Sequence, residues 1–157
     1  MILSIVIPIY NEEKTLRALI EKVMSVGLQP KVQKEIILVN DGSTDGTLDI
    51  LKSFEAYPVI KIIHHQQNQG KTSALISGMN QATGEIILIQ DADLEYNPDY
   101  YPGLIEPIIE NKSLVVYGSR FKGEIRGMTL TNRLANIFSN LTFNLFFGKK
   151  LSDINTC

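Results

Sequence analysis

The chain alternates short, β-branched apolar runs with stretches of helical periodicity, and few folds accept that alternation. Ile2–Ile9, Glu35–Asn40, Val59–His64, Glu85–Gln90 and Leu114–Tyr117 read as strands. Glu12–Val26, Gly46–Tyr57, Lys71–Ala82, Pro98–Glu110 and Leu130–Phe147 read as helices. The first helix carries Leu16, Leu19, Ile20 and Val23 on one face, with Asn11 as its cap and Glu12 and Glu13 in its positive first turn. Asp45 is expected to cap the second helix. Leu75, Met79 and Ala82 form the expected inner stripe of the third, and Pro102 and Pro107 interrupt the fourth. Strands alternating with helices predict an α/β fold: a Rossmann-like, mainly parallel sheet with helices on both faces. The unbroken apolar runs fit strands buried from both sides.

In such sheets, ligands bind beyond the carboxyl ends of the strands. The residues there are polar in every case. Pro8, Tyr10, Asn11 and Glu12 follow the first run; Asp41, Gly42, Ser43 and Asp45 follow the second. Asn68, Gly70 and Lys71 follow the third, Asp91, Asp93 and Glu95 the fourth, and Gly118, Ser119 and Arg120 the fifth. All of them converge on one rim.

Asp91-Ala92-Asp93 is the sharpest feature of that rim. Strand geometry alternates faces, so both carboxylates point one way if the extension continues past Gln90. Each then resists ionising beside the other, and a divalent cation removes the repulsion. Hard oxygen ligands of this kind suit Mg²⁺ or Mn²⁺, with phosphate oxygens completing the shell. Taken alone, the pair reads equally as a solvated acidic turn before Pro98.

Two nucleotide motifs fail on spacing. Gln69-Gly70-Lys71-Thr72-Ser73 resembles the end of a P-loop, but His65 stands where the first glycine is needed. No glycine follows the first strand, where a dinucleotide fold places its phosphate loop. Lys71 remains a candidate for a phosphate or an acidic partner. Asp41 sits where an acidic residue meets a nucleoside, although Asp-Gly also favours a plain tight turn. His64 and His65 lack metal-ligand spacing. The planar fork of Arg120 suits phosphate or carboxylate.

Composition removes other classes. The 157 residues carry 15 Lys and Arg against 17 Asp and Glu, so bulk charge does not predict a nucleic-acid partner. The single cysteine, Cys157, excludes an internal disulfide framework. Met1–Ile9 is apolar, but no basic segment precedes it and Pro8, Asn11, Glu12 and Glu13 follow at once, so it reads as a strand rather than a leader. No run reaches the ~18 apolar residues of a membrane helix. A cytoplasmic location, in the cytosol or at the cytosolic face of a membrane, is expected. In the last helix, Leu134, Ile137, Phe138, Leu141, Phe143, Leu145, Phe146 and Phe147 read first as core; the second reading is a surface that meets a membrane or lipid chain, aided by Lys149 and Lys150. One domain spanning 1–157 is expected, and the ending at Leu151–Cys157, with no polar tail, suggests a piece of something longer.

Five motifs in order resemble family 2 glycosyltransferases of GT-A fold. They are Ser4-Ile5-Val6-Ile7-Pro8-Ile9-Tyr10-Asn11-Glu12, Val39-Asn40-Asp41-Gly42-Ser43-Thr44-Asp45-Gly46, Asn68-Gln69-Gly70-Lys71, Asp91-Ala92-Asp93-Leu94-Glu95 and Gly118-Ser119-Arg120. With the terminal Ser152-Asp153-Ile154-Asn155-Thr156-Cys157, they are most similar to the dolichol-phosphate mannose synthase-like branch. The resemblance implies that Pro8, Tyr10, Glu12 and Asp41 hold a nucleoside, with Lys71 near the nucleotide. It implies that Asp93 binds a Mg²⁺ or Mn²⁺ ion on the diphosphate, with Asp91 at the same site or on the sugar. Glu95 stands where the branch often has Gln and is a third candidate ligand. Arg120 and Arg133 are implied phosphate contacts. Asp91, Asp93 and Arg120 are the implied catalytic set.

The activity so implied is inverting transfer from GDP-mannose or a UDP-sugar to a polyprenyl or dolichyl phosphate. Transfer to a sugar hydroxyl in surface polysaccharide, and a nucleotide-binding domain without turnover, are the alternatives. Processive relatives carry a Gln-x-x-Arg-Trp motif, and this chain has no Trp; either that part lies outside this stretch or the protein is not of that type, and the second reading is preferred. Acceptor sites in such enzymes draw on later residues, so this stretch alone need not be active.

Overall fold

The structure, a computed structural model, describes residues 1–119 and 130–148, with backbone only for 130–134. Contacts divide the chain into two compact units, Met1–Lys112 and Ser113–Cys157. In the first, strands β1 (Ile2–Ile9), β2 (Gln33–Asn40), β3 (Ile60–His64) and β4 (Ile86–Ile89) form one sheet in the order β3-β2-β1-β4, every pair parallel. Register places Ile5 of the central strand opposite Ile36 on one side and Leu88 on the other. Helices α1 (Leu16–Ser25), α2 (Thr47–Lys52), α3 (Lys71–Gln81) and α4 (Tyr101–Ile109) cover it.

The two faces follow from strand alternation. Leu3, Ile5, Ile7 and Ile9 of β1 pack with Leu16, Leu19, Ile20 and Val23 of α1, Leu51 of α2, and Tyr101 and Ile105 of α4. Each such aliphatic side chain contributes ~1.5–3 kcal/mol by leaving water. The other face of β1 and β2 presents Val6, Ile37 and Val39 to Ala74 of α3. A right-handed crossover that moves outward from β1 to β3 lays α1 and α2 on one face. The return to β4, on the far side of β1, lays α3 on the opposite face.

The α/β expectation holds, with local corrections. Helix α1 begins at Leu16, not Glu12, and Asn11 is not its cap: Asn11 has φ 56°, and its side chain accepts from the Thr44 N–H at 2.8 Å. Glu12 and Glu13 therefore lie in a loop, tied across to the β2–α2 connection. The Glu12 N–H donates to Thr47 Oγ1 at 2.9 Å, and Glu13 Oε2 accepts from the Gly46 N–H at 2.8 Å. Asp45 takes the Thr47 N–H at 3.0 Å, one residue before the helix boundary.

The inner face of α3 is Ala74 and Gly78, with Leu75 and Ala82 partly buried and Met79 exposed. Small residues win because α3 lies so close to the sheet that a Cβ on Gly78 would collide with Val6 and press on Val39. Pro102 does not interrupt α4, since it falls in the first turn where its missing N–H costs nothing. Leu114–Tyr117 forms no strand; Leu114, Val115 and Tyr117 are exposed and no ladder pairs them. Four apolar residues without a partner strand lack the hydrogen bonds that stabilise the extended form.

Lys34 closes α1 from outside it. Its ammonium donates to the carbonyls of Val23 at 3.0 Å and Val26 at 2.8 Å, and also to that of Met24, so three terminal carbonyls share one cation. Burial pushes the Lys34 pKa down. Toward the N-terminal ends of the strands, Glu35 gathers Ser4 Oγ, the Lys61 ammonium, and both the N–H and hydroxyl of Thr83.

In the second unit, α5 (Leu130–Phe147) is the main element. Ile137, Phe138, Leu141, Leu145, Phe146 and Phe147 are exposed, contrary to the core reading of this helix. Their spacing places Ile137, Leu141 and Leu145 in one stripe along the helix. No described helix is long and apolar enough to cross a membrane.

Candidate active site

Strand order reverses between β1 and β4, and a cleft of about 300 Å³ opens at their carboxyl ends. This is where open parallel sheets bind ligands. Its lining comes from the β1 end (Pro8, Ile9, Tyr10, Glu12), Asp41 after β2, Asn68 and Lys71 at the β3–α3 junction, and Asp91, Ala92 and Asp93 after β4. The structure therefore brings Pro8, Tyr10, Glu12, Asp41, Lys71, Asp91 and Asp93 together. Glu95 is exposed and outside the lining. Arg120 lies outside the described residues, as does the side chain of Arg133, whose backbone is in α5.

The β1 side is a rigid shelf. Besides the Glu12 and Glu13 bonds, the Asn11 N–H donates to Ser43 Oγ at 3.0 Å. The left-handed turn at Asn11, tolerable for Asn, swings Tyr10 outward and Glu12 back toward the helix. Glu12 Oε2 accepts the Thr15 hydroxyl at 2.6 Å, which fixes its carboxylate.

Asp41 is almost fully buried, yet stays charged. Burial pushes its carboxyl up, but the Gln69 N–H at 2.9 Å, His65 Nδ1 at 2.7 Å and the Gly70 N–H at 2.8 Å outweigh that, and its pKa falls below the usual carboxylate range. Gly42 next to it has φ 70° and lies against the Gln67–Asn68 backbone, so no side chain fits there. His65 is not a metal ligand; its Nε2 reaches Ser77 Oγ of α3 at 2.9 Å. It is the part of this shelf that spacing arguments miss, since a histidine pair at a strand end carries no motif.

The acidic turn differs from the strand extension expected. β4 ends at Ile89, and Asp91-Ala92-Asp93 is a turn, so both residues reach the cleft lining through a bend rather than through strand alternation. Buried Gln90 sets that bend. Its side-chain N–H group donates to the carbonyls of Asp91 at 2.9 Å and Tyr96 at 3.0 Å, and it accepts the Tyr101 hydroxyl at 2.8 Å. Burial raises the Tyr101 pKa, so it remains a donor. Leu94 takes φ 63°, a strained choice for a branched side chain, and Asp93 Oδ1 accepts the Glu95 N–H at 3.0 Å. Asp91 is largely buried, and its Oδ1 lies 2.6 Å from Lys71 Nζ. No group of three or more His, Cys, Asp or Glu side chains lies close enough to hold a metal among the described residues.

A parallel sheet with an acidic, nucleotide-sized cleft at its switch point defines a class of nucleotide-handling α/β domains. The chain belongs to glycosyl transferase family 2, whose family model matches residues 4–157. It is 34% identical over 155 residues to an undecaprenyl-phosphate 4-deoxy-4-formamido-L-arabinose transferase of Pectobacterium carotovorum, covering 96% of this chain and 45% of that protein. It is 39% identical over 153 residues to the enzyme of the same name from Photorhabdus laumondii, covering 96% and 46%. The chain thus spans under half the length of these curated relatives. Among solved structures, residues 1–349 of S. aureus TarS in complex with UDP match with a TM-score of 0.62 at 27% identity, over 72% of this chain and 33% of that one. A Pyrobaculum calidifontis mannosyltransferase in complex with GDP-Man and Mn²⁺ matches with a TM-score of 0.53 at 28% identity, over 58% of this chain and 27% of that one. The GT-A fold is thereby established.

Proposed function

We propose that this chain is the donor-binding part of an inverting glycosyltransferase that moves a sugar from a nucleotide-sugar, GDP-mannose or a UDP-sugar, to a polyprenyl phosphate. The convergence of Asp41, Lys71, Asp91 and Asp93 on one cleft at the β1/β4 switch point carries this reading. Relatives named for an undecaprenyl-phosphate acceptor, and folds solved with UDP or GDP-Man, support it.

Pro8, Tyr10, Glu12 and Asp41 form the nucleoside wall. Asp91 and Asp93 offer hard carboxylate oxygens, the donor type that Mg²⁺ and Mn²⁺ take up together with substrate phosphates. The ion, when bound, neutralises charge growing on the departing diphosphate. Lys71 adds a cation on the same side. The rigid Asn11–Thr47 lacing orients the donor before reaction. A lipid phosphate oxygen is already anionic at neutral pH, so the acceptor needs no general base. The exposed apolar stripe of α5 supports contact with the lipid surface where such an acceptor resides.

Transfer of labelled sugar from GDP-mannose and UDP-sugars to undecaprenyl phosphate, by the protein containing this chain and with or without Mn²⁺, tests the reading. Metal-dependent product that disappears in Asp93→Ala is expected. Absence of both nucleotide binding and turnover overturns it.

A further inference from the structure

We propose that Lys71 is a built-in counter-cation for Asp91, and that a divalent metal gains Asp91 only when a nucleoside diphosphate draws Lys71 away. The inference rests on the nucleotide-sugar reading of the cleft and adds an order of events to it.

Charge balance in the cleft motivates the assignment. Among the described residues, the lining holds the carboxylates of Glu12, Asp41, Asp91 and Asp93 and one basic side chain, Lys71. The Asp41 carboxylate is held by three partners, the Gln69 and Gly70 N–H groups and His65, and Glu12 is held by Thr15. Asp91 and Asp93 stand two residues apart on one short turn, and both line the cleft. The Lys71 ammonium lies 2.6 Å from Asp91 Oδ1 and so engages a carboxylate oxygen that a divalent cation would need. Lys71 and Asp91 line the same cavity.

The pair is also built to separate. Lys71 is the first residue of α3, follows Gly70 in a left-handed turn, and has a half-exposed side chain on a flexible four-carbon stem. Asp91, by contrast, is held by the Gln90 bond to its own carbonyl and is mostly buried. A metal arriving alone must displace the ammonium from Asp91 and leave two cations side by side. A diphosphate arriving with it offers Lys71 a new anionic partner and surrounds the metal with oxygens. Metal and nucleotide then bind cooperatively, and linkage makes the coupling reciprocal.

Electron paramagnetic resonance of free Mn²⁺ measures this directly, in wild type, Lys71→Met and Lys71→Arg, each alone and saturated with UDP or GDP. In wild type, Mn²⁺ alone binds weakly, and one of the nucleotides tightens it about tenfold, the coupling typical of linked sites. Lys71→Met binds Mn²⁺ alone about fivefold more tightly than wild type, the size expected for losing a half-exposed ion pair, and its nucleotide enhancement shrinks. Lys71→Arg keeps the wild-type order. A Lys71→Met protein that melts like wild type yet binds Mn²⁺ alone no more tightly overturns the proposal; if that variant does not fold, Lys71→Gln carries the same comparison. If Lys71→Met gains Mn²⁺ affinity but neither nucleotide affects wild type, the competition for Asp91 stands and the nucleotide reading of the cleft falls.

Discussion

His65 Nδ1 lies 2.7 Å from Asp41 Oδ1, and this pair ties the end of β2 to the loop that launches α3. Ser77 holds the other ring nitrogen, so the imidazole is fixed at both ends. Replacing His65 by Leu leaves a buried carboxylate short of one donor. The variant should lose ~1–3 kcal/mol of stability in urea denaturation, and its affinity for UDP or GDP should fall as the 65–70 loop loosens. Unchanged stability would show that Asp41 does not need the histidine.

Gly78 offers a test in which two rules disagree in sign. Helix propensity alone makes Gly78→Ala stabilising by ~1 kcal/mol. The closeness of Val6 and Val39 makes it an overpacking change that costs ~1–3 kcal/mol. Contact should win, giving a lower urea midpoint, and a raised midpoint would mean that α3 stands farther from the sheet.

Glu35 sets an acid limit on the fold. Burial pushes its carboxyl up, but hydrogen bonds from Lys61, Ser4 and Thr83 outweigh this and bring it down to about 2, from an ordinary value of 4.5. The folded value lies below the unfolded one, so its stabilisation is complete above about pH 4.5 and fades as pH falls toward 2. Urea midpoints measured across that window should fall less steeply for Glu35→Gln than for wild type. At neutral pH, Glu35→Gln should itself cost ~1–3 kcal/mol by weakening a charged hydrogen-bond cluster.

Lys34 should matter more than a surface lysine. Lys34→Met keeps the stem but removes the donors at the end of α1, and should lower stability by ~1 kcal/mol in thermal or urea unfolding. A change within ~0.5 kcal/mol, the range of ordinary surface substitutions, would contradict the capping role.

The layout of this fold was legible because unbroken β-branched runs and amphipathic helices leave few arrangements. Polar strand ends then pointed to the rim that became the cleft. What escaped the sequence depends on tertiary neighbours. Asn11 resembles a helix cap, but Ser43 and Thr44 engage it more favourably in a left-handed turn. Met79 has the right spacing for an inner stripe, yet the close approach at Gly78 turns α3 so that Ala74 faces inward. Gln90 and Tyr101 shape the acidic turn from eleven residues apart, a pairing no local pattern reveals.

Amide chemical-shift mapping with UDP or GDP and substoichiometric Mn²⁺ reads out whether the β1/β4 cleft holds a nucleoside diphosphate through its acidic turn. Shifts should cluster at residues 9–12, 41 and 68–71, with paramagnetic broadening centred on Asp91–Asp93 and lost in Asp93→Ala. Broadening centred elsewhere, or undiminished in Asp93→Ala, would contradict the account.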